Sequence, residues 1–326
     1  FEEIRSTGDL SQKPRDMLEA QVLYRCLQKD IQVLASLQPE ADGLPNYVAS
    51  AFDKVQDLRY GENWHQRAAL YTNDQGLGLP AARKLNGREM SYNNMVDAET
   101  VLEMLIDLSE YDGEACNRPL SVIVKHANPC GVAWGASLDE AFRLSFATDP
   151  KSAFGGVIGF NRMVDVKTAQ CIGDSFVEVL LAPGYEAEAL RLLTEKKPNR
   201  RILDIGDLLQ RKSELYRGYY KKTIFGGMML QDFDTGDIKE LRVVTRRAPT
   251  DSEARALRFA WKIAKYVKSN ALVYTTENQT IGIGSGQVSR VDSARVGAEK
   301  AEEHGVSTQG TVAATDAFFP FRDGLD

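Results

Sequence analysis

The sequence predicts an α/β protein built from layered sheets and helices. Two short runs, 121–124 and 177–181, are apolar and rich in β-branched or aliphatic residues, and each has the length of a buried strand. A turn signal and then a helical pattern follow each run: a capping box at 137–140 after the first, and a helix over 186–195 after the second. A helix over 97–108 precedes the first strand. This alternation of strand, turn and helix is typical of layered α/β sheets.

Composition narrows the class of protein. The chain has 326 residues, of which 43% are apolar and 26% charged, which leaves room for two domains with sizeable cores. No run approaches the roughly 18 apolar residues of a membrane span, and the beginning is too charged for a secretory signal. A net charge of −6 disfavours a nucleic-acid surface. We therefore expect a soluble, cytoplasmic protein that binds neither membranes nor nucleic acids.

The stretch 121–131, SVIVKHANPCG, is the first candidate for chemistry. Its apolar strand ends on Lys125 and His126, and we expect Asn128-Pro129-Cys130-Gly131 to break the strand because proline fixes its own φ. An ammonium and an imidazole would then lie at the carboxyl end of a strand, where open α/β sheets bind ligands. This pattern predicts a site of proton transfer. The alternative is a solvated lysine beside a buried structural histidine.

Two polar linkers divide the chain. Residues 8–37 predict one long helix whose apolar residues share a face, and a Pro- and Gly-containing linker over 39–47 places a domain boundary near residue 50. A basic segment over 196–201 marks a second boundary. The predicted divisions are 1–50, 51–200 and 201–326.

The C-terminal part predicts a helix, a hairpin and a second helix. Thr250 to Glu253 is a capping box for a helix that ends near Val267, with Leu257, Trp261 and Ala264 facing inward. Strand 271–274 and the glycine-containing run 280–286 then form a hairpin.

The glycines at 282, 284 and 286 are not a dinucleotide fingerprint, because that motif needs a different spacing and a later acidic residue. We expect them to let a planar ring approach the backbone. Arg290 lies in the first turn of the next helix, where a cation needs an anion or a carbonyl to compensate it. We interpret His304 as a solvated helix cap.

Seven ordered blocks carry a resemblance to a known family. They are RYGEN (59–63), SYNNM (91–95), KHANPCG (125–131), TDPKSAFGG (148–156), KSNALVY (268–274), IGIGSGQVSR (281–290) and DAFFPFRDG (316–324). Together they resemble the formyltransferase half of the bifunctional purine-biosynthesis enzymes. That half is 5-aminoimidazole-4-carboxamide ribonucleotide (AICAR) formyltransferase, fused in the family to inosine monophosphate (IMP) cyclohydrolase. The resemblance runs from about Phe52 to Asp326.

The resemblance implies an architecture as well as an activity. It implies two layered α/β/α lobes similar to the cytidine deaminase fold, preceded by a helical remnant of the cyclohydrolase domain. The cyclohydrolase's own catalytic loops have no match in this sequence, and we expect a further segment after Asp326. The family also implies a homodimer whose active sites contain groups from both subunits.

The resemblance assigns roles to individual residues. It implies transfer of a formyl group from the co-substrate 10-formyltetrahydrofolate to the 5-amino group of AICAR, without a required metal, although the family can hold a structural potassium ion. The implied catalytic residues are Lys125, His126 and Asn270. The implied AICAR-binding residues are Arg59, Tyr60, Asn94, Gly155, Arg290 and Phe318. The implied folate-binding residues are Val291, Phe321 and Asp323.

Two other functions are alternatives to formyl transfer. A zinc-dependent nucleoside deaminase needs a Pro-Cys-x-x-Cys motif, but Pro129-Cys130 is followed by Gly131, Val132 and Ala133, so the second cysteine ligand is missing. The four cysteines show no CxxC spacing and fit reduced thiols. A non-catalytic dimerisation module of a larger enzyme stays open as the alternative.

Overall fold

The computed structural model describes residues 2–37, 43–73, 76–111, 114–115, 117–238, 240–319 and 321–324. The helices are α1 Glu2–Thr7, α2 Gln12–Leu37, α3 Tyr92–Leu108, α4 Leu138–Thr148, α5 Pro150–Ala153, α6 Val166–Ile172, α7 Ala187–Lys196, α8 Lys212–Leu215, α9 Asp251–Ala264 and α10 Arg290–Glu303. The strands are β1 Asp53–Leu58, β2 Ala68–Thr72, β3 Arg83–Asn86, β4 Glu110–Tyr111, β5 Glu114–Ala115, β6 Leu120–Lys125, β7 Asn128–Trp134, β8 Val157–Phe160, β9 Val179–Ala182, β10 Arg201–Asp204, β11 Tyr219–Ile224, β12 Gly227–Asp232, β13 Leu272–Thr275, β14 Thr280–Gly284 and β15 Val312–Thr315. The predicted α/β class is confirmed. Within the described ranges, every helix is too short or too polar to span a bilayer.

The internal contacts of the chain divide it into two compact units. The smaller unit contains residues 1–56, 70–75 and 218–233, and the larger one contains the rest. The smaller unit includes α2 and the hairpin of β11 and β12, which pair in an antiparallel register. The apolar face predicted for α2 is exposed, as at Leu23, whose residue is 62% exposed. The predicted boundaries near residues 50 and 200 stay predictions.

A six-stranded mixed sheet forms the centre of the larger unit. Its strand order is β3-β10-β9-β8-β6-β7. Strands β8, β9 and β10 run parallel, whereas β6 is antiparallel to both β7 and β8. Helix α3 covers one face, where a Cβ added to Gly159 would meet Val101 and Leu105. Ile158 points to the other face, where it packs in a core with Phe142 of α4 and Ala169 of α6.

A second, three-stranded sheet has the order β14-β13-β15, with both pairs antiparallel. Thr275 on one face of β13 donates a side-chain hydrogen bond to the Ala256 carbonyl of α9. The neighbouring Tyr274 points to the opposite face and donates to the Ala294 carbonyl of α10. This sheet is therefore also covered by a helix on each face.

The two predicted capping boxes have different outcomes. The Thr250 hydroxyl accepts a hydrogen bond from the Glu253 backbone N–H, and the Glu253 carboxylate accepts one from the Thr250 backbone N–H, so this box is confirmed. The box at 137–140 is wrong. Ser137 is the N-cap of α4 but donates its hydroxyl to Asp139, whose carboxylate is a stronger acceptor, and makes no cap bond.

The glycines of β14 serve helix packing, which corrects the predicted approach of a planar ring. A Cβ at Gly282 would lie 2.1 Å from the Gly297 carbonyl oxygen, and one at Gly284 would lie 1.8 Å from that of Ser293. Helix α10 therefore occupies the space where side chains would stand. The inward orientation predicted for Trp261 is also wrong, because its residue is 48% exposed while Phe259 and Ile263 face the core.

Candidate active site

A tight hairpin presents the Lys125–His126 pair. Strand β6 ends at Lys125, β7 begins at Asn128, and the two residues between them, His126 and Ala127, have φ of 56° and 53°. The predicted strand break at Asn128–Gly131 is wrong, since these residues pair with β6. Pro129 is tolerated because β7 is an edge strand and its pairing with β6 is irregular between Ile123 and Val124.

Lys125 and His126 line a cavity of about 330 Å³, which we call the hairpin cavity. Cys130, Asp149, Ser285 and Lys300 contribute to its wall. The Lys125 Nζ donates to the carbonyl oxygen of Phe154 at 2.6 Å, which fixes the direction of the ammonium. Because an ammonium has three donors, two more can serve a ligand. The His126 side chain is exposed, which removes the alternative of a buried structural histidine.

Two side chains hold the hairpin turn from different directions. The carboxylate of Asp97, in α3, accepts from the backbone N–H groups of His126 at 3.2 Å and Ala127 at 2.6 Å. Burial raises the pKa of Asp97, although these two hydrogen bonds act in the opposite sense. Asn128 donates its side-chain amide to the His126 carbonyl and accepts from the Lys268 N–H, each at 3.1 Å. Asn128 thus joins the hairpin to the segment that carries Asn270.

Asn270 belongs to a hydrogen-bonded cluster at the start of α10. Its backbone N–H and its side-chain amide both donate to the Gln287 carbonyl at 2.9 Å. Arg290 donates to the Asn270 Oδ1 at 2.8 Å and to the Asp316 Oδ1 at 2.7 Å. Asp316 and the Ala271 carbonyl are therefore the compensating partners that the position of Arg290 predicts. Burial would raise the pKa of Asp316, but hydrogen bonds from Ser269 and Arg290 outweigh it and lower that pKa.

A second cavity of about 310 Å³ contains Arg59, and we call it the arginine cavity. Arg88, Arg200, Arg201 and Glu178 also line it. Cationic side chains of this number suit an anionic group such as a phosphate.

The other residues of the N-terminal motifs lie beside the arginine cavity. The Tyr60 ring lies under the Arg59 guanidinium, 5.4 Å from its carbon. Asn94 closes a capping box with Ser91 and donates to the Glu178 carboxylate at 2.9 Å. The structure therefore brings Arg59, Tyr60 and Asn94 together around the start of α3.

Gly155 lies in the segment that connects the walls of the two cavities. Phe154, whose carbonyl accepts from Lys125, stacks on Phe176 with ring centroids 4.8 Å apart, and Phe176 lines the arginine cavity. Gly155 donates its N–H to the Phe176 carbonyl at 2.7 Å and has φ of 75°, which favours glycine.

The two phenylalanines predicted to hold flat rings are exposed and line neither the hairpin cavity nor the arginine cavity. Phe318 is 81% exposed and Phe321 is 73% exposed. Val291 follows Arg290 in the first turn of α10 and is half-buried. The side chain of Asp323 lies outside the described residues, and so does that of Cys116. The ring-binding roles of Phe318, Val291, Phe321 and Asp323 stay predictions.

His304 is the C-cap residue of α10, as predicted, but the prediction that it is solvated is wrong. Its side chain is only 10% exposed, and its Nε2 lies 3.3 Å from the Asp149 carboxylate. Lys300 pairs with the same carboxylate. The reason is that Asp149, the N-cap of α5, contacts Lys300 through one carboxylate oxygen and His304 through the other, so both side chains face inward.

Several residues at the site carried no motif signal on their own. Asp97 and Asn128 act through backbone groups of residues 29 and 140 positions away, which periodicity does not report. From the sequence, Asp97 could be recognised only as a polar residue in a helix predicted to be buried, without any indication of its contact with the hairpin turn. Glu178 directly precedes β9, at the amino end of the parallel strands, so the expectation that ligands bind at the carboxyl ends of parallel strands would not have found it.

Comparison with known proteins identifies the family. The sequence profile described as "AICARFT/IMPCHase bienzyme" matches residues 1–300. The chain is 46% identical, over a 335-residue alignment, to the bifunctional purine biosynthesis protein PurH of Xanthomonas axonopodis pv. citri (strain 306). The alignment covers 98% of this chain and 60% of that relative. With these matches and the ordered motifs around one hairpin, the chain belongs to the AICARFT/IMPCHase bienzyme family.

Proposed function

We propose that this chain is an AICAR formyltransferase of purine biosynthesis that uses 10-formyltetrahydrofolate as the formyl donor. The observation that carries the proposal is the Lys125–His126 turn, which is joined through Asn128 to the segment bearing Asn270. The family match and a relative named for purine biosynthesis support the same reaction. The chain spans 60% of that relative, so the cyclohydrolase reaction is not proposed for these residues.

In the proposed reaction, the 5-amino nitrogen of AICAR attacks the formyl carbon of the folate. This amine is a weak nucleophile because the carboxamide delocalises its lone pair. His126 removes the amine proton as the new C–N bond forms, the general-base task that enzymes most often give to histidine. The tetrahedral intermediate then loses the folate N10, which takes up a proton as its bond to the formyl carbon breaks.

Lys125 and Asn270 stabilise the oxygen of that intermediate. The Phe154 carbonyl directs the Lys125 ammonium, and the Arg290 guanidinium holds the Asn270 amide, so both groups are oriented before substrate binds. Lys125 is equally suited to protonate the departing N10. In either role it needs no metal ion.

We place the ribonucleotide phosphate in the arginine cavity, with Arg59 and Tyr60 as its ligands. Asn94 and Gly155 lie next to that cavity and position the nucleotide. Phe318, Phe321, Val291 and Asp323 are assigned to the flat rings of the two substrates. The exposure of both phenylalanines fits rings that become covered when ligands or a second subunit bind.

We further propose that the two sheets form the two lobes of a cytidine-deaminase-like fold, and that the active enzyme is a cytoplasmic homodimer. The six-stranded and three-stranded sheets, each with helices on both faces, support the two-lobe arrangement. The helix α2 is assigned to the end of a cyclohydrolase domain. Sedimentation of the purified chain tests the dimer.

The direct test is a formyl transfer assay with AICAR and 10-formyltetrahydrofolate, followed by mass spectrometry of the nucleotide. The wild-type chain should convert AICAR to its formamido derivative, and His126→Ala should lose this activity. His65→Ala is the matched control, because His65 is exposed and its ring packs edge-on against the Trp64 ring, outside the residues that line the hairpin cavity. A wild-type chain that folds and dimerises without transferring the formyl group would favour the dimerisation module instead.

A further inference from the structure

The turn between β6 and β7 has a backbone conformation that its two residues, His126 and Ala127, do not favour. A two-residue hairpin with positive φ at both positions normally contains Asn-Gly or a similar pair. Here the residues are His126 and Ala127, and alanine gains nothing locally from the left-handed region. Contacts from elsewhere in the fold must therefore hold this turn in place.

Asp97 supplies those contacts. One carboxylate oxygen accepts from the His126 N–H and the other from the Ala127 N–H, so both left-handed residues are bound by one side chain. Hydrogen bonds to an ionised carboxylate are about twice as strong as neutral ones. The Asp97 residue is only 7% exposed, so water competes weakly for its oxygens.

The position of Asp97 is itself fixed by the fold. The capping box of Ser91 and Asn94 sets the start of α3 one turn earlier. Val101 and Leu105, one and two turns later, are fully buried against the six-stranded sheet. The carboxylate is thus held by a rigid helix, while the turn that it binds carries the proposed chemistry.

We propose that Asp97 is a positioning residue for formyl transfer. It selects the left-handed conformation of the His126–Ala127 turn that presents the imidazole of His126 and the ammonium of Lys125 to the substrates. Asp97 touches neither substrate. The inference rests on the proposed function, and it adds a residue to which the family resemblance gave no role.

The test compares Asp97→Asn with the wild-type chain in the formyl transfer assay. Asparagine keeps the volume but has one acceptor oxygen, so one of the two N–H groups faces an amide NH₂. We expect kcat to fall about 10- to 100-fold, with KM for both substrates changed by less than about threefold, because orientation is lost and binding is not.

A second substitution shows whether a loss of kcat comes from the changed turn conformation or from destabilisation of the whole fold. Glycine adopts positive φ readily, so adding Ala127→Gly to Asp97→Asn should restore kcat about fivefold or more. Ala127→Val should lower kcat in an otherwise wild-type chain, because a β-branched residue is strongly disfavoured at positive φ. The matched control is Asp107→Asn, in the same helix, which loses contacts with Lys262 and Lys265 but does not touch the turn.

The outcomes are distinct. Loss of kcat in Asp97→Asn with recovery by Ala127→Gly supports the inference, while unchanged kcat, or a loss that glycine does not restore, overturns it. Hydrogen exchange of the peptide covering 122–130 should accelerate in Asp97→Asn, and unchanged exchange counts against the role of Asp97 at the turn. An inactive wild-type chain overturns the proposed function, whereas an active Asp97→Asn variant overturns only this inference.

Discussion

The guanidinium of Arg290 donates a hydrogen bond of 2.8 Å to the side-chain oxygen of Asn270. These two residues lie in different sequence blocks, one before β13 and one at the start of α10. The same guanidinium binds Asp316, which follows β15. A single buried cation therefore joins three segments that flank the three-stranded sheet. One of them carries Asn270, which is proposed to stabilise the reaction intermediate.

Replacing Arg290 with lysine should impair catalysis more than binding of the folate. Lysine lacks the planar fork that reaches Asp316, Asn270 and the Ala271 carbonyl together. We expect kcat to fall by about tenfold or more. Arg295→Lys is the matched control, since Arg295 lies on the exposed face of the same helix and its side chain is 65% exposed. Equal activity of the two variants would contradict this role for Arg290.

Arg59→Ala should weaken nucleotide binding. A hydrogen-bonded pair with a charged group contributes roughly 1.5–3 kcal/mol, so KM for AICAR should rise by about tenfold to 100-fold. The KM for the folate should change little, because the proposed contact is to the nucleotide phosphate. Arg83→Ala serves as the control, since the Arg83 side chain is 74% exposed, pairs with Asp204 and does not line the arginine cavity. An unchanged KM for AICAR in Arg59→Ala would contradict the proposal that the nucleotide phosphate binds in the arginine cavity.

Asp139 should stabilise the fold in a pH-dependent way. The Ser137 hydroxyl, together with Lys167 and Arg143, lowers the pKa of Asp139 from 3.8 to about 2 against the opposing effect of burial. Its contribution is therefore complete above the unfolded value of 3.8 and is lost as the pH falls through about 2. Urea unfolding of Asp139→Asn should show lower stability than wild type at neutral pH, and the difference should shrink in this acid range. Glu299→Gln, on an exposed face, should show no such trend.

The cysteine thiols should differ in reactivity. Burial raises the pKa of Cys130 to about 12, with Asp149 acting in the same sense, so very little thiolate forms near neutrality. Cys26 is exposed. Alkylation of the native chain followed by peptide mass spectrometry should label Cys26 well before Cys130. Equal labelling of both cysteines after unfolding in urea is the control. Rapid labelling of Cys130 in the native chain would contradict the burial of its thiol in the wall of the hairpin cavity.

The sequence was sufficient for the parts of the fold that depend on local patterns. The apolar run at 122–124, the helix with Val101 and Leu105, and the Thr250 capping box all follow from spacing and from short-range hydrogen bonds. The failures have a different cause. Ser137 had a better acceptor nearby in Asp139, and Trp261 lies on the exposed side of α9 while Phe259, two residues earlier, lies in the core.

The sequence predicted the reactive groups of the candidate site but not the residues that hold those groups in position. Lys125 and His126 were visible as a charged pair at a strand end, but the turn that presents them depends on Asp97 in a preceding helix. Likewise Gly284 suggested room for a ligand, whereas the structure fills that space with the backbone of α10. Contacts between distant segments decide such details, and a hydrophobic pattern contains no information about them.

A crystal structure of the chain with AICAR and a folate analogue tests the central claim most directly. We expect the 5-amino nitrogen of AICAR within about 3 Å of the His126 imidazole, or one water molecule away, as general-base catalysis requires. We also expect the nucleotide phosphate in the arginine cavity. Nucleotide density far from the hairpin, with the imidazole pointing away from both ligands, would contradict it.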